Sequence, residues 1–257
     1  MLLAAIEDLV AGTRFDVPAR LGFAALATLK GGHASRSFRY KRAGLAIMRR
    51  VLAPDSNTVD VGAHRGFYLA QALRLSPHGR HLAIEPIREL AAALRRHYPR
   101  AEVHAVALAD RCGEVPFFRH ARSAGLSSLV GWDPRGGPLP GTRLELVPVR
   151  TLDALVPPDL PLRFLKIDGM GAHDAILSGA RATLARWRPF VFFYHRVPPT
   201  ADARSLGERV WAALAESGLR LSDPDDWLAG RPALDRAGFL SCTGHGPGSA
   251  WCFLAHP

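Results

Sequence analysis

The chain has 257 residues, of which 48% are hydrophobic, and a formal net charge of +10, so it can bury one sizeable core. It contains no run of about 18 apolar residues, its first residues carry two acids within an apolar run, and its three cysteines lack metal-ligand spacing. We therefore expect no membrane span, no signal peptide, no metal site and reduced thiols in a cytoplasmic protein. The positive charge would fit an acidic partner, but the arginines are scattered without interleaved aromatic residues, which argues against nucleic acid as the partner and favours compositional bias as the origin of the charge.

Residues 1–50 are predicted to form a helical N-terminal extension to one domain over residues 51–257. Apolar residues recur at helical spacing over Leu2–Val10 and again over Leu45–Val51. A basic cluster precedes the domain, and it would either line an entrance for an anionic substrate or form the solvated face of a helix. Its members are Arg36, Arg39, Lys41, Arg42, Arg49 and Arg50.

From Thr58 onward, short apolar runs alternate with amphipathic helices, which is typical of a parallel sheet with helical crossovers. The predicted strands are Thr58–Val61, His81–Ile84, Glu102–Ala107, Arg163–Ile167, Phe190–Tyr194, Leu219–Leu221 and Ala250–Leu254. The predicted helices are Phe67–Leu75, Ile87–His97, Ala172–Arg186 and Ala203–Glu216. This order predicts a doubly wound α/β fold with seven strands, helices on both faces and a closing strand hairpin.

The segment Gly113–Arg150 is the irregular part of the chain. It is predicted to contain a small hairpin, Val115–Phe118 with Leu144–Val149, around a loop rich in Gly and Pro. Long loops inside compact domains are usually lids or disordered. Ser127 and Ser128 would either contact a ligand or cap a turn, and Trp132 would either form a substrate platform or hold the loop to the core.

A glycine-rich turn joins the first predicted strand of the sheet to its helix, in the sequence Asp60-Val61-Gly62-Ala63-His64-Arg65-Gly66. Gly62 permits a tight turn with positive φ, and Gly66 allows the helix to begin close to a ligand. The unpaired N–H groups of that helix N-terminus would then face the ligand. A plain strand-to-helix turn explains the same residues, and His64 would either contact a ligand or face solvent.

An acid ends the second predicted strand: Glu85 lies 19 residues after Gly66. An acid at this place and spacing is typical of a carboxylate that accepts hydrogen bonds from ribose hydroxyls. The alternative is a carboxylate that caps the helix beginning near Pro86. At the end of the third strand, Leu108 could stack on an adenine and Asp110 could bind its edge.

Together these stretches resemble the FkbM-type methyltransferases over roughly residues 55–196. The matching stretches are Val59–Gly66, Ile84–Pro86, Val106–Asp110, Gly113, Ser127–Leu129, Val149–Asp153, Leu165–Asp168 and Ser178–Ala180. The resemblance implies a class I, Rossmann-like methyltransferase fold, S-adenosylmethionine (SAM) as methyl donor, and usually O-methylation of a secondary metabolite or a sugar. By position it implies SAM contacts at Asp60, Gly62, Gly66, Glu85 and Asp110, and we add Ala63 and Leu108.

The sequence departs from the family at two places. After Asp168 the family usually continues Val-Glu-Gly-Ala-Glu, whereas this chain reads Gly169-Met170-Gly171-Ala172-His173. The family often has an acid two residues before a histidine at the end of the fifth strand, and this chain has Phe193 before His195. The missing carboxylates support an alternative to catalysis. In this alternative the chain is a catalytically inactive methyltransferase-like protein with a binding or scaffolding role. A nucleic-acid methyltransferase is the third and weakest alternative.

The expected acceptor is a hydroxyl group on a small molecule or a glycan, and the basic residues also allow an anionic acceptor. A hydroxyl nucleophile needs a base near neutral pH. The titratable groups predicted at the ends of the fourth and fifth strands are Asp168, His173 and His195. We predict His195 as the base and Asp168 as the group that places SAM or the acceptor. The carboxyl ends of adjacent parallel strands converge on one crevice, so we expect both side chains there.

Overall fold

The computed structural model describes residues 22, 33–121, 124–130, 139–198, 201–243 and 252–257. The predicted helix over Leu2–Val10 and the loop that holds Trp132 lie outside these residues. The strands are β1 (Asn57–Val61), β2 (His81–Ile84), β3 (Glu102–His104), β4 (Ala107–Leu108), β5 (Gly113–His120), β6 (Thr142–Arg150), β7 (Leu162–Ile167), β8 (Phe190–Tyr194), β9 (Arg220–Ser222) and β10 (Cys252–His256). The α-helices are α1 (His33–Val51), α2 (Phe67–Leu75), α3 (Arg88–His97), α4 (Leu152–Leu155), α5 (His173–Ser178), α6 (Arg181–Trp187), α7 (Ala203–Glu216), α8 (Pro224–Leu228) and α9 (Arg236–Cys242).

Seven strands form the main sheet, in the order β3-β2-β1-β7-β8-β10-β9. The five strands from β3 to β8 are parallel, whereas β10 runs antiparallel to both β8 and β9. The strand order steps outward from β1 in both directions, which places the topological switch point between β1 and β7. The predicted α/β class with seven strands and a closing antiparallel pair is confirmed.

Two predicted elements are divided in the structure. The predicted strand Glu102–Ala107 ends at His104, and Ala107–Leu108 instead pairs with β6 in a second, three-stranded sheet of order β4-β6-β5. The predicted helix Ala172–Arg186 is two helices, α5 and α6, separated at Gly179. A Cβ on Gly179 would lie 2.1 Å from the carbonyl oxygen of Ala109, so the chain needs glycine at this close approach.

Helix α1 packs directly on the main sheet, although it falls in the segment predicted as an extension. Its apolar side chains Leu45, Ile47 and Met48 are buried with Phe164 and Phe192 of the sheet in one hydrophobic cluster. Burial of each such side chain contributes about 1.5–3 kcal/mol.

Salt bridges and a cation–ring contact also hold α1 against helix α8. Arg39 Nε lies 2.6 Å from a carboxylate oxygen of Asp225 on α8, and the Arg50 guanidinium lies 4.9 Å from the ring centre of Trp227. These two members of the basic cluster therefore fasten α1 to α8.

Side chains of the sheet alternate between two separate cores. Phe192 and Tyr194 of β8 belong to the cluster that includes α1 and α2, whereas Phe193 belongs to the cluster with Val210 of α7 and Phe239 of α9. Consecutive residues of the strand therefore direct their side chains to opposite faces of the sheet. Among the helices that the structure describes, none has the length and apolar character needed to cross a bilayer.

Candidate functional site

A cavity of about 340 Å³ opens at the carboxyl ends of the central parallel strands. Its wall includes Gly62 after β1, Glu85 after β2, Asp168 after β7 and Tyr194 at the end of β8. The volume lies within the range of roughly 300–1,000 Å³ that is usual for small-molecule sites. This edge of a doubly wound sheet, at its switch point, is where such folds bind ligands.

The glycine turn brings strands β1 and β7 into close contact beneath the cavity. Gly62 has φ +69°, and a Cβ there would lie 2.2 Å from the backbone oxygen of Asp168. Gly62 and Ala63 line the cavity, as expected for cofactor contacts. Gly66, with φ +79°, is the N-cap of α2 and does not line the cavity; a Cβ there would lie 2.6 Å from the ring of Tyr98.

Asp60 lies behind the glycine turn, away from the cavity wall. Its carboxylate lies 2.9 Å from Lys166 Nζ and accepts a hydrogen bond from the backbone N–H of Leu69, in the first turn of α2. Lys166 Nζ also donates to the carbonyl oxygens of Val61 (3.0 Å) and Gly62 (2.7 Å). Lys166 thus pairs with Asp60 and holds the glycine turn in shape, and it also lines the cavity. Burial raises the pKa of Asp60, and the Lys166 charge opposes that shift.

Glu85 is held in a fixed orientation at the end of β2. Its two carboxylate oxygens accept one backbone N–H each, from His64 at 2.8 Å and from Ile87 at 3.0 Å. Burial raises the pKa of this carboxyl to about 7, although both hydrogen bonds favour the ionised form. Each oxygen keeps a second lone pair, and the residue lines the cavity, so the carboxylate can both cap the turn and accept ligand hydroxyls.

The wall beyond Glu85 is mainly apolar. It includes Ile87, Ala107, Leu108 and Phe117, which would suit a flat aromatic base. Asp110 differs from the expectation: its side chain is about half exposed, lies 3.7 Å from the Arg111 guanidinium, and is absent from the described cavity wall. The backbone turns toward solvent after β4, which carries this carboxylate away.

Ser127 and Ser128 line the cavity but use their hydroxyls within the chain. Ser127 Oγ accepts from the backbone N–H of His120 at 3.1 Å, and Ser128 Oγ donates to the carbonyl oxygen of Val130. Of the two interpretations, these contacts favour the turn-capping one.

Asp168 follows β7 and lines the cavity next to the glycine turn. Its Oδ1 is buried, and among the residues that the structure describes no donor reaches it. A buried carboxylate oxygen without a partner is costly, which makes Asp168 a candidate for a ligand contact. The next side chain on the wall is Met170, at φ +44°, where the family usually has glutamate. Of the described wall residues, only Glu85 and Asp168 are acids.

His195 does not face the cavity, contrary to the prediction that it shares the crevice with Asp168. Its ring is buried among aromatic rings, 4.6 Å from His173, 5.7 Å from Phe239 and 5.9 Å from Phe253 between ring centres. It stands one residue after Tyr194, so the alternation of the strand directs it to the other core. Burial lowers the pKa of both histidines to about 3, and neither residue lines the cavity.

Tyr194 occupies the position that the sequence analysis assigned to the histidine. Its hydroxyl lies 3.0 Å from the hydroxyl of Tyr68 on α2, and both side chains line the cavity. Neither tyrosine was among the predicted site residues. The missed signal is the alternation along β8: Tyr194 shares its face with Arg196, which also lines the cavity, and not with His195.

Among the described residues of the cavity wall, basic side chains outnumber acidic ones. Lys41 and Ser37 reach it from one face of α1, Arg65 from the glycine turn, and Arg196 from the segment after β8. Lys41 is thus the one member of the basic cluster among the described wall residues. The side chain of Arg36 lies outside the described part of the chain.

The methyltransferase FkbM domain family matches residues 60–221, more than half of the chain. A comparison with curated proteins found no match. Among solved structures, the methyltransferase FkbM from Methylobacillus flagellatus KT is 18% identical with a TM-score of 0.50; the match covers 80% of this chain but only 44% of that one, less than half of its length. An O-methyltransferase from Bacillus cereus in complex with SAH is 16% identical, with a TM-score of 0.44 over 93% of this chain and 88% of that one. The family match and the fold agree: the chain belongs to the FkbM family of SAM-dependent methyltransferases.

Proposed function

We propose that this methyltransferase transfers the methyl group of SAM to a hydroxyl group of a small molecule, a sugar or a secondary metabolite. One observation carries the hydroxyl assignment: Asp168 Oδ1 is buried at the cavity wall, and no donor among the described residues satisfies it. An alcohol donates one hydrogen bond and must lose that proton on methylation, so an unsatisfied carboxylate oxygen is the partner it needs.

The residues of the cavity fit SAM. The carboxylate of Glu85 can accept the ribose hydroxyls, Leu108 and its apolar neighbours can cover the adenine, and the turn at Gly62 and Ala63 leaves room for the amino acid part. When bound, SAM supplies a methyl group on a positively charged sulfur. Asp60 and Gly66 do not line the cavity and act indirectly, by shaping the turn assigned to the cofactor, whereas Lys166 both braces that turn and lines the cavity.

For transfer, the chain must hold the acceptor oxygen in line with that methyl group and remove its proton. Correct positioning alone is worth several kcal/mol of the barrier. Asp168 is the carboxylate in position to receive the proton, and it replaces His195 in the role of base. The neutral, buried rings of His195 and His173 pack the other core instead.

The charge of the wall favours an acceptor that carries an anionic group. Four of the described wall residues are basic, Lys41, Arg65, Lys166 and Arg196, and two are acidic. A phosphate or carboxylate on the acceptor would interact favourably with this surface.

A non-catalytic, scaffolding relative is the second candidate, because Met170 stands where the family has a glutamate. In its favour, one of the expected carboxylates beside the cavity is absent. The open cavity and the unsatisfied Asp168 oxygen argue for catalysis over that alternative.

The acceptor assignment is tested with SAM labelled in its methyl group and a panel of compounds matched in pairs, each hydroxyl compound with its amine analogue. The panel should contain neutral sugars, sugar phosphates and phenols. We expect label on hydroxyl compounds and highest yields on anionic ones. Label found only on the amines would contradict O-methylation while leaving the methyltransferase assignment intact.

Glu85→Gln is expected to weaken SAM binding by about 1–3 kcal/mol, the usual contribution of hydrogen bonds to a charged group. Isothermal titration calorimetry with SAM measures the change. Glu89→Gln is the matched control, because Glu89 lies on the same segment but its carboxylate is exposed and pairs with Arg119. Equal affinities for the two variants would remove Glu85 from the cofactor site.

The affinity for SAM should also depend on pH near neutrality. The pKa of Glu85 is raised to about 7 in the protein, and ribose hydroxyls donate to the ionised form. Binding should therefore be fully developed above pH 7 and weaken as the pH falls through about 7, by up to about 1.4 kcal/mol per pH unit. The Glu85→Gln variant, which lacks this titration, should show a flat profile from pH 8 to pH 6.

A further inference from the structure

The hydroxyls of Tyr68 and Tyr194 form a buried pair with one hydrogen left over. Their oxygens are 3.0 Å apart, and the two residues are 5% and 6% exposed. Two hydroxyls carry two donor hydrogens, but the bond between them uses only one. Within the described part of the chain neither hydroxyl has a further partner, so the second hydrogen is available to a group in the cavity that both residues line.

The strand register places Tyr194 beside Asp168. Ile167 of β7 pairs with Phe193 of β8, so the next residues, Asp168 and Tyr194, are neighbours and point to the same face of the sheet. Burial raises the pKa of Tyr194 well above its ordinary value, and the nearby Asp168 charge adds to the shift. The hydroxyl thus stays protonated and remains a donor at neutral pH.

The position of the pair is fixed from the opposite side by α1. Gly44 of that helix faces Tyr68, and a Cβ there would lie 2.9 Å from the Tyr68 hydroxyl oxygen. Lys166 Nζ lies 5.5 Å from the ring centre of Tyr68. The tyrosine ring is therefore confined between the helix and the sheet, which orients its hydroxyl toward Tyr194.

We propose that the acceptor hydroxyl is bound between Asp168 Oδ1 and the Tyr194 hydroxyl. The acceptor donates its hydrogen to Asp168 Oδ1 and accepts the hydrogen of Tyr194, while Tyr68 donates to Tyr194 and directs that hydrogen into the cavity. The proposal rests on the proposed O-methylation, and it adds Tyr194 as a residue that touches the acceptor and Tyr68 as a positioning residue.

This arrangement selects hydroxyl groups over charged amines. An alcohol oxygen has two lone pairs, so it can accept one hydrogen bond from Tyr194 and keep the other lone pair for the methyl group. An ammonium group has three donors and no acceptor, so it would leave the Tyr194 hydrogen without a partner. A buried donor left unsatisfied is unfavourable, which disfavours the amine.

The test uses water as the probe for the acceptor hydroxyl, in crystal structures of the complex with SAH, the demethylated product. In the wild-type chain we expect an ordered water about 2.7–3.0 Å from both Asp168 Oδ1 and the Tyr194 hydroxyl. Tyr194→Phe should remove that water from its site. Tyr68→Phe should retain the water at reduced occupancy, because Tyr194 keeps its own hydrogen but loses the partner that directs it into the cavity.

Calorimetric titration with SAH separates this proposal from the proposed function. Both phenylalanine variants should bind SAH within about twofold of the wild-type affinity, since neither hydroxyl is assigned to the cofactor. A wild-type complex without water between the two groups, or a Tyr194→Phe complex that keeps it unchanged, would overturn the proposal. Failure of the wild-type chain to bind SAH would instead overturn the cofactor site.

Discussion

Lys166→Met is expected to destabilise the protein by about 3–5 kcal/mol, the usual cost of removing one partner of a buried ion pair. Both side chains of the Lys166–Asp60 pair are 5% exposed, and the ammonium group also holds the carbonyl oxygens of Val61 and Gly62. The substitution keeps most of the side-chain volume but leaves the Asp60 carboxylate without its counter-charge. Urea unfolding followed by circular dichroism measures the loss.

The double variant Lys166→Met, Asp60→Asn serves as the control for charge. Asparagine can still accept the hydrogen bond from the Leu69 N–H, but it carries no buried charge. We expect it to recover part of the lost stability. If the single and double variants unfold at the same urea concentration, the loss arises from the freed carbonyl oxygens and not from the uncompensated carboxylate.

Most of the sheet could be predicted from the sequence because its signals are local. Apolar runs bounded by turn residues gave His81–Ile84 and Phe190–Tyr194 with the bounds that the structure has. The break of the helix at Gly179 could not be predicted in this way. Its cause is a close approach to Ala109, about 70 positions away in sequence, and no local pattern reports such a contact.

Of the two halves into which our proposal divides the cavity, the cofactor half was largely predictable and the acceptor half was not. Gly62 and Glu85 belong to single segments whose spacing carries the signal, and both line the cavity. The acceptor half depends on which side chains of β8 share a face with Asp168, and therefore on the pairing of β7 with β8. A shift of one residue exchanges Tyr194 for His195, which is why His195 was expected at the cavity where the structure has Tyr194.

The predicted role of Asp60 and Asp110 illustrates the same limit of motif reasoning. Both stand where the family motif implies SAM contacts. In the structure, Asp60 is buried and forms an ion pair with Lys166, whereas the carboxylate of Asp110 lies at the surface beside Arg111. A motif fixes the residue type near a site, but only the packing around it decides whether the side chain touches the ligand.

Asp168→Asn should reduce turnover by a factor of about 100 or more, because base catalysis typically contributes that much. The amide keeps the size of the carboxylate but cannot take the proton of the acceptor. Affinity for SAM should change much less, since the cofactor assignment rests on Glu85 and the glycine turn. Rates are measured as transfer of labelled methyl to the hydroxyl compound that the acceptor panel identifies.

His195→Phe is the matched control for Asp168→Asn. The ring lies on the opposite face of the sheet, among Phe193, Phe239 and Phe253, and a phenylalanine ring is suited to that packing. The turnover of the His195→Phe variant should stay within about twofold of the wild-type value. If this histidine were the base, its removal would cause a much larger loss. A large loss in His195→Phe together with near-normal turnover in Asp168→Asn would return the base to the histidine, and it would require β8 to present His195 to the cavity during the reaction.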